Sequence, residues 1–133
     1  MTITAVRILL IEDFAPFLKL TRSILADKPG LQVIAEALDG RDGVQKATEL
    51  KPDLILLDLG LPKMNGIEAA RQIRKLVPDS KILFVSQESS PDIIQEALSL
   101  GASGYVIKTK VGHDLLPAVD AVLQGRTFVS GQD

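Results

Sequence analysis

Five short apolar runs punctuate the chain: Val6–Ile11, Gln32–Ala37, Leu54–Asp58, Lys81–Ser86 and Gly104–Ile107. Four of them are rich in Val, Ile and Leu with little polar alternation. A strand covered on one face alternates, whereas one covered on both faces does not, so these runs read as strands packed on both sides. The intervening segments carry helical spacing. Phe17, Leu20, Ile24 and Leu25 make one apolar face, Val44, Ala47 and Leu50 a second, and Ile67, Ala70, Ile73 and Val77 a third. Ile94, Ala97 and Leu98, then Leu115, Val119 and Val122, supply the last two. Breakers follow each in turn: Pro29-Gly30, Pro52, Pro78, Gly101 and Gly125. Ser90-Pro91 reads as an N-cap with proline at the first helical position. Strict strand–helix alternation predicts an α/β fold: a doubly wound, five-stranded parallel sheet with five helices.

Composition narrows the function. The chain has 133 residues, enough for one domain and too few for two of ordinary size. With no cysteine there are no disulfides, thiolate metal sites or thiol nucleophiles. A net charge of −2 argues against nonspecific nucleic-acid binding. The early apolar stretch Ile8–Ile11 is too short to span a bilayer and runs straight into Glu12-Asp13, unlike a signal peptide. A soluble, cytoplasmic protein without membrane contact is expected.

In a parallel sheet of this kind ligands bind beyond the carboxyl ends of the strands. Those ends carry Glu12-Asp13, Asp58, Ser86 and Lys108: three carboxylates, a hydroxyl and a cation. Two carboxylates about 4 Å apart repel by roughly 4 kcal/mol at an effective dielectric of 20. Three together must protonate or bind a cation, and an all-oxygen set favours Mg²⁺, with Mn²⁺ also suitable. A solvated acidic rim is the plain alternative. Singly, Ser86 would read as a turn residue and Lys108 as a surface lysine. Beside the acids, they could hold the oxygens of a phosphoryl group. Asp58 is then the candidate nucleophile, able to form a mixed anhydride. No general acid is evident for a poor leaving group, so the donor should be phosphohistidine or a small acyl phosphate.

These residues resemble the receiver domain of two-component response regulators. The resemblance runs from Val6 to about Ser130. It rests on Ile11-Glu12-Asp13, on Leu54-Ile-Leu-Leu-Asp58-Leu-Gly-Leu-Pro62-Lys-Met-Asn-Gly66, on Ser86 and on Gly101-Ala-Ser-Gly-Tyr105-Val-Ile-Lys108. The resemblance implies a flavodoxin-like fold with strand order 2-1-3-4-5, Asp58 as phospho-acceptor, and a sensor histidine kinase as donor. It implies Mg²⁺ held by Glu12, Asp13, Asp58 and the Gly60 carbonyl, with Ser86 and Lys108 on the phosphoryl group. It also implies a switch in which the Ser86 hydroxyl moves toward the phosphoryl group and the Tyr105 ring turns inward. Tyr105 lies three residues before Lys108 and so on the opposite face of the strand. A tyrosine half-buried at the sheet edge is its plain reading. A switch from 1:99 to 99:1 requires about 5.5 kcal/mol.

Pro62 and Gly66 suit a shaped loop before the third helix, with Gly66 a candidate for positive φ. Gln87 stands where the family usually has a small residue. It either obstructs the site or orients a hydrolytic water. Thr109 stands where many relatives have proline. His113, the only histidine, reads as a surface residue, Lys110 as solvated and Met64 as loop packing. The boundaries expected are a receiver over 1–126 and a tail or start of linker over 127–133. Gln124-Gly-Arg-Thr-Phe-Val-Ser130 resembles the boundary before a LuxR-type helix-turn-helix output domain, which favours a receiver excised from a longer transcription regulator over a stand-alone one.

Other functions fit less well. An aspartate-nucleophile phosphatase typically has a second Asp two residues on, where this chain has Gly60. A nucleotide-binding module would need a phosphate cradle, and Glu12-Asp-Phe-Ala-Pro16 lacks its Gly and Ser/Thr pattern. The alternative ranked second is a degenerate receiver used only as an interaction domain. Relatives often form homodimers through surfaces on the last helices and strand; the resemblance allows a homodimer here without choosing its surface.

Overall fold

Each apolar run becomes a strand and each amphipathic segment a helix in the computed structural model, which describes residues 5–131. In chain order the elements are β1 (Val6–Ile11), α1 (Ala15–Ala26), β2 (Leu31–Ala37), α2 (Gly40–Leu50), β3 (Leu54–Leu57) and α3 (Gly66–Leu76). They continue with β4 (Lys81–Ser86), α4 (Pro91–Ser99), β5 (Gly104–Ile107), a 3-10 turn over Lys108–Lys110, α5 (Val111–Leu123) and β6 (Phe128–Val129). All pairings are parallel, in the order β2-β1-β3-β4-β5-β6. The fold is therefore the expected doubly wound sheet, with one short strand added at its edge.

The near-continuous apolar runs have the predicted cause. Odd positions such as Leu9, Ile11, Ile55 and Leu57, together with Phe84, face α2, α3 and α4. Even positions such as Ile8, Leu10, Leu54 and Leu56 face α1 and α5. Ile8, Leu9, Leu54, Ile55 and Leu57 are wholly excluded from solvent. Each such side chain contributes about 1.5–3 kcal/mol of transfer free energy. Gly30, Gly101 and Gly125 end their segments at positive φ, as the breakers implied. Ser90 caps α4 with Pro91 at its start, but through backbone geometry alone, since its hydroxyl makes no capping bond.

Three details differ from the sequence reading. Leu20 is 46% exposed, and α1 instead buries Leu18, Thr21 and Leu25. That stripe keeps the spacing i, i+3, i+7 but passes through a polar residue. Gly66 does not adopt positive φ; the left-handed residue in its loop is Lys63, at φ 65°. Gly66 is instead a close-approach position, since a Cβ there would lie 2.1 Å from the Asp58 carbonyl oxygen. Finally, part of the segment expected as tail pairs with β5, placing Gly104 opposite Phe128 and Tyr105 opposite Val129. Gln132 and Asp133, also assigned to that tail, lie outside the described residues.

Candidate functional site

The chain leaves the sheet in opposite directions from β1 and β3, and the two strand ends flank a crevice. The Glu12 amide donates to Ala37 O at 3.0 Å, and the Asp58 amide to Ile11 O at 3.1 Å. These extensions of the sheet ladder place the acids on its last rungs. The loop after Asp58 is tied down by Gly66 N–H to Leu59 O at 2.8 Å. The Pro62 carbonyl accepts from both Gly40 and Met64. Pro62 and Gly66 thus shape the loop as expected, and Met64 packs against the core.

Carboxylate oxygens of Glu12, Asp13 and Asp58 come within 4.8 Å of one another. Glu12 and Asp58 are 6% and 7% exposed, while Asp13 faces solvent. Lys108 reaches in from the 3-10 turn after β5, its Nζ lying 2.5 Å from Glu12 Oε1 and 3.3 Å from Asp58 Oδ2. The same ammonium sits 4.5 Å from the centre of the Phe17 ring, an attractive cation–π contact. Glu12 Oε2 accepts the Phe14 amide at 3.0 Å. Burial pushes the Glu12 carboxyl up from its ordinary range, and the nearby Asp58 charge adds to this; the bonds from Lys108 and Phe14 offset only part. Two buried acids thus share one cation, and Asp13 adds a third carboxylate at the solvent side. This all-oxygen set fits a hard dication such as Mg²⁺.

Ser86, the last residue of β4, is buried, and its Oγ accepts the Glu88 amide at 3.4 Å. With Glu12, Asp13, Asp58, Gly60, Gln87 and Lys108 it lines an open cleft of about 310 Å³. The Gly60 amide lies 3.5 Å from Asp58 Oδ1. Gln87 is exposed at the cleft rim, and Thr109 continues the turn begun by Lys108.

Tyr105 is not half-buried at an edge. It has no exposed surface, because β6 and α4 extend the cover over β5. Its ring lies 6.1 Å from that of Phe84, and its hydroxyl donates to the Glu88 carbonyl at 2.8 Å. Burial is the main reason its phenol is pushed up. It lies on the α2–α4 side, while Lys108 packs on Phe17 on the other, as strand alternation requires.

One buried polar cluster escaped the sequence reading. Asp114 Oδ2 accepts the Ser130 hydroxyl at 2.7 Å, and Ser130 Oγ accepts the Ile107 amide at 3.1 Å. Exposed His113 lies 2.7 Å from Asp114 Oδ1, a surface position as expected. The available signal was periodicity: Asp114 interrupts the apolar stripe of α5 between Val111 and Leu115.

Known proteins are similar to this chain in sequence and fold. The family model described as "Response regulator receiver domain" matches residues 8–120. The transcriptional regulatory protein DegU of Brevibacillus brevis is 35% identical over 93% of this chain and 52% of its own length. The chemotaxis protein CheY of Thermotoga maritima is 36% identical over 77% of this chain and 84% of its own. Among solved structures, a LuxR-family two-component response regulator from Aurantimonas sp. SI85-9A1 superposes with TM-score 0.91 at 34% identity, covering 96% of this chain and 91% of that one. The chain spans about half the length of DegU and 57% of LiaR from Bacillus subtilis. Among the described residues, no helix is long and apolar enough to cross a membrane. The sheet order, the acidic crevice and these matches together place the chain in the response regulator receiver domain family.

Proposed function

We propose that the domain is a phosphorelay switch in which Asp58 accepts a phosphoryl group from a sensor histidine kinase. The observation that carries this reading is the Lys108 ammonium bridging Glu12 and Asp58 at the meeting of three strand ends. An Asp58 carboxylate oxygen attacks phosphorus, and the phosphorus–nitrogen bond of phosphohistidine breaks, returning its electron pair to the imidazole. Glu12, Asp13 and Asp58, with the Gly60 carbonyl, would hold Mg²⁺, or Mn²⁺ in its place. Bound there, the ion supplies positive charge against the incoming phosphoryl group. Lys108 and Ser86 take up charge on the phosphoryl oxygens.

Self-phosphorylation and self-dephosphorylation at Asp58 are the only chemistry proposed. Gly60 stands where a phosphatase would carry its acid, so turnover of phosphate monoesters is not expected. Ser86 and Tyr105 form the switch. The phenol already points inward, bonded to the loop that follows Ser86. Phosphorylation then alters partner or homodimer contacts. Gln87 at the rim either obstructs access to the phosphoryl group or orients a hydrolytic water there. DegU and LiaR carry the words "transcriptional regulatory protein" in their names, which supports a cytoplasmic role as the regulatory part of such a protein, without direct nucleic-acid contact by this segment.

The test is labelling of the protein by a small acyl phosphate with and without Mg²⁺. Incorporation should require the metal and vanish in Asp58→Asn. An undiminished signal in that variant would refute the assignment of Asp58, and no incorporation in the unaltered protein would leave an interaction domain independent of phosphorylation.

A further inference from the structure

The C-terminal segment is bonded to the two stretches of β5 that serve the site. Ser130 N–H donates to the Tyr105 carbonyl at 2.9 Å. The Ser130 hydroxyl accepts from Ile107 N–H at 3.1 Å, one residue before Lys108, and donates to buried Asp114 at 2.7 Å. Tyr105 is engaged from both ends, its phenol by the Glu88 carbonyl and its backbone by Ser130. The contact is closely fitted: a Cβ on Gly104 would lie 2.7 Å from the Phe128 carbonyl oxygen. Ser130 is 4% exposed and Asp114 8%. A two-residue strand has little pairing strength of its own, so this side-chain socket determines whether the segment stays docked.

We propose that residues 128–130 form a releasable clasp that reads the state of the Asp58 site, with Ser130 and Asp114 as its positioning residues. The inference rests on the phosphoryl-accepting reading above. Lys108 holds Glu12 and Asp58 in the present state. A phosphoryl group on Asp58 draws the ammonium toward new oxygens and pulls on Ile107, whose amide holds Ser130. Movement of Ser86 toward the same group disturbs the loop whose Glu88 carbonyl holds Tyr105. Both movements loosen the clasp, so residues 128–130 are released from β5 when the site is filled. Coupling of this kind is reciprocal: weakening the clasp must favour the filled site.

The experiment uses the full 133-residue chain with Mg²⁺ and beryllofluoride, a phosphoryl mimic. Amide hydrogen exchange at Ile107 and Ser130 should accelerate about fivefold or more when the mimic binds. Ser130→Ala should bind the mimic about threefold more tightly, and Ser130→Thr, which keeps the hydroxyl, should restore the original affinity. A merely structural serine would lower stability without moving that affinity. Binding seen at Asp58 neighbours with unchanged or slower exchange at Ile107 and Ser130 overturns the clasp and leaves the phosphoryl site standing. Absence of any Mg²⁺-dependent binding overturns both. Should Ser130→Ala fail to fold, exchange in the unaltered protein decides the matter.

Discussion

Replacing Lys108 with Met separates the two tasks assigned to that side chain. Its ammonium is the nearest countercharge to Glu12 and Asp58, in a cluster where all three side chains are no more than 10% exposed. Removing one partner of a buried ion pair costs about 3–5 kcal/mol. The crevice opens to solvent at Asp13, which puts the expected loss near the low end, about 3 kcal/mol. Urea unfolding followed by far-UV circular dichroism suits a chain without tryptophan. Mg²⁺ should respond in the opposite sense. A dication held by the same carboxylates would compete with the ammonium for them, and at a separation of about 5 Å two such charges repel by about 2–7 kcal/mol at effective dielectrics between about 80 and 20. Lys108→Met should therefore bind Mg²⁺ at least about tenfold more tightly by calorimetric titration, and its stability deficit should shrink as Mg²⁺ is added. Labelling of Asp58 should fall all the same, because the phosphoryl oxygens lose their cation. Unchanged or weaker Mg²⁺ binding in the variant would show that metal and ammonium do not share these carboxylates, and the proposed site would fail with it.

The hydroxyl of Thr21 is buried on α1 and has no hydrogen-bond partner among the described residues. An unmet buried polar group costs about 1–3 kcal/mol, so Thr21→Val should raise the urea midpoint, and a fall would reveal a partner for the hydroxyl. Gly66→Ala sets a Cβ 2.1 Å from the Asp58 carbonyl oxygen, whereas Gly60→Ala meets nothing within 4 Å. The first should cut acyl phosphate labelling about tenfold or more while the second still folds normally; equal behaviour of the two by labelling and thermal melting would contradict the packing described. Asp114 is held below its ordinary value of 3.8: burial opposes its charge, but the bonds from His113 and Ser130, helped by the His113 and Lys110 charges, prevail. A depressed carboxyl contributes stability that is complete above the unfolded value and lost as pH falls through the folded one. Below about pH 4, Asp114→Asn should therefore lose less stability than the unaltered chain, measured as urea midpoints across an acid series.

The layered fold was legible because burial on both faces leaves its mark in every residue of a strand. Leu54–Leu57 has no polar position at all, and both faces of that strand prove to be covered. The two-residue strand Phe128–Val129 left no such mark, being too short to show a period. Its place depends on a glycine at 104 that admits a neighbouring backbone and on a serine that finds a carboxylate sixteen residues before it. In α1, Leu20 reads as part of the buried face because it is apolar, although Thr21 holds the inward position. Helical phase decides which residue is buried, and one threonine on the stripe was enough to displace the count.

The grouping of the acids with Lys108 was legible for a different reason. In a parallel sheet every strand ends at the same edge, so polar residues just past an apolar run must gather there, whatever their separation in the chain. Asp58 and Lys108 are fifty residues apart and still meet at 3.3 Å. The same logic could not reach Asp114, which lies inside a helix, where the edge rule is silent. The test for such residues is their phase: Thr21 and Asp114 each sit on the apolar stripe of an amphipathic helix, and both are buried. A polar group there must find a partner or destabilise the fold. Asp114 finds Ser130, and so anchors the C-terminal strand; Thr21 finds none among the described residues, which is the reason valine there is expected to stabilise the fold.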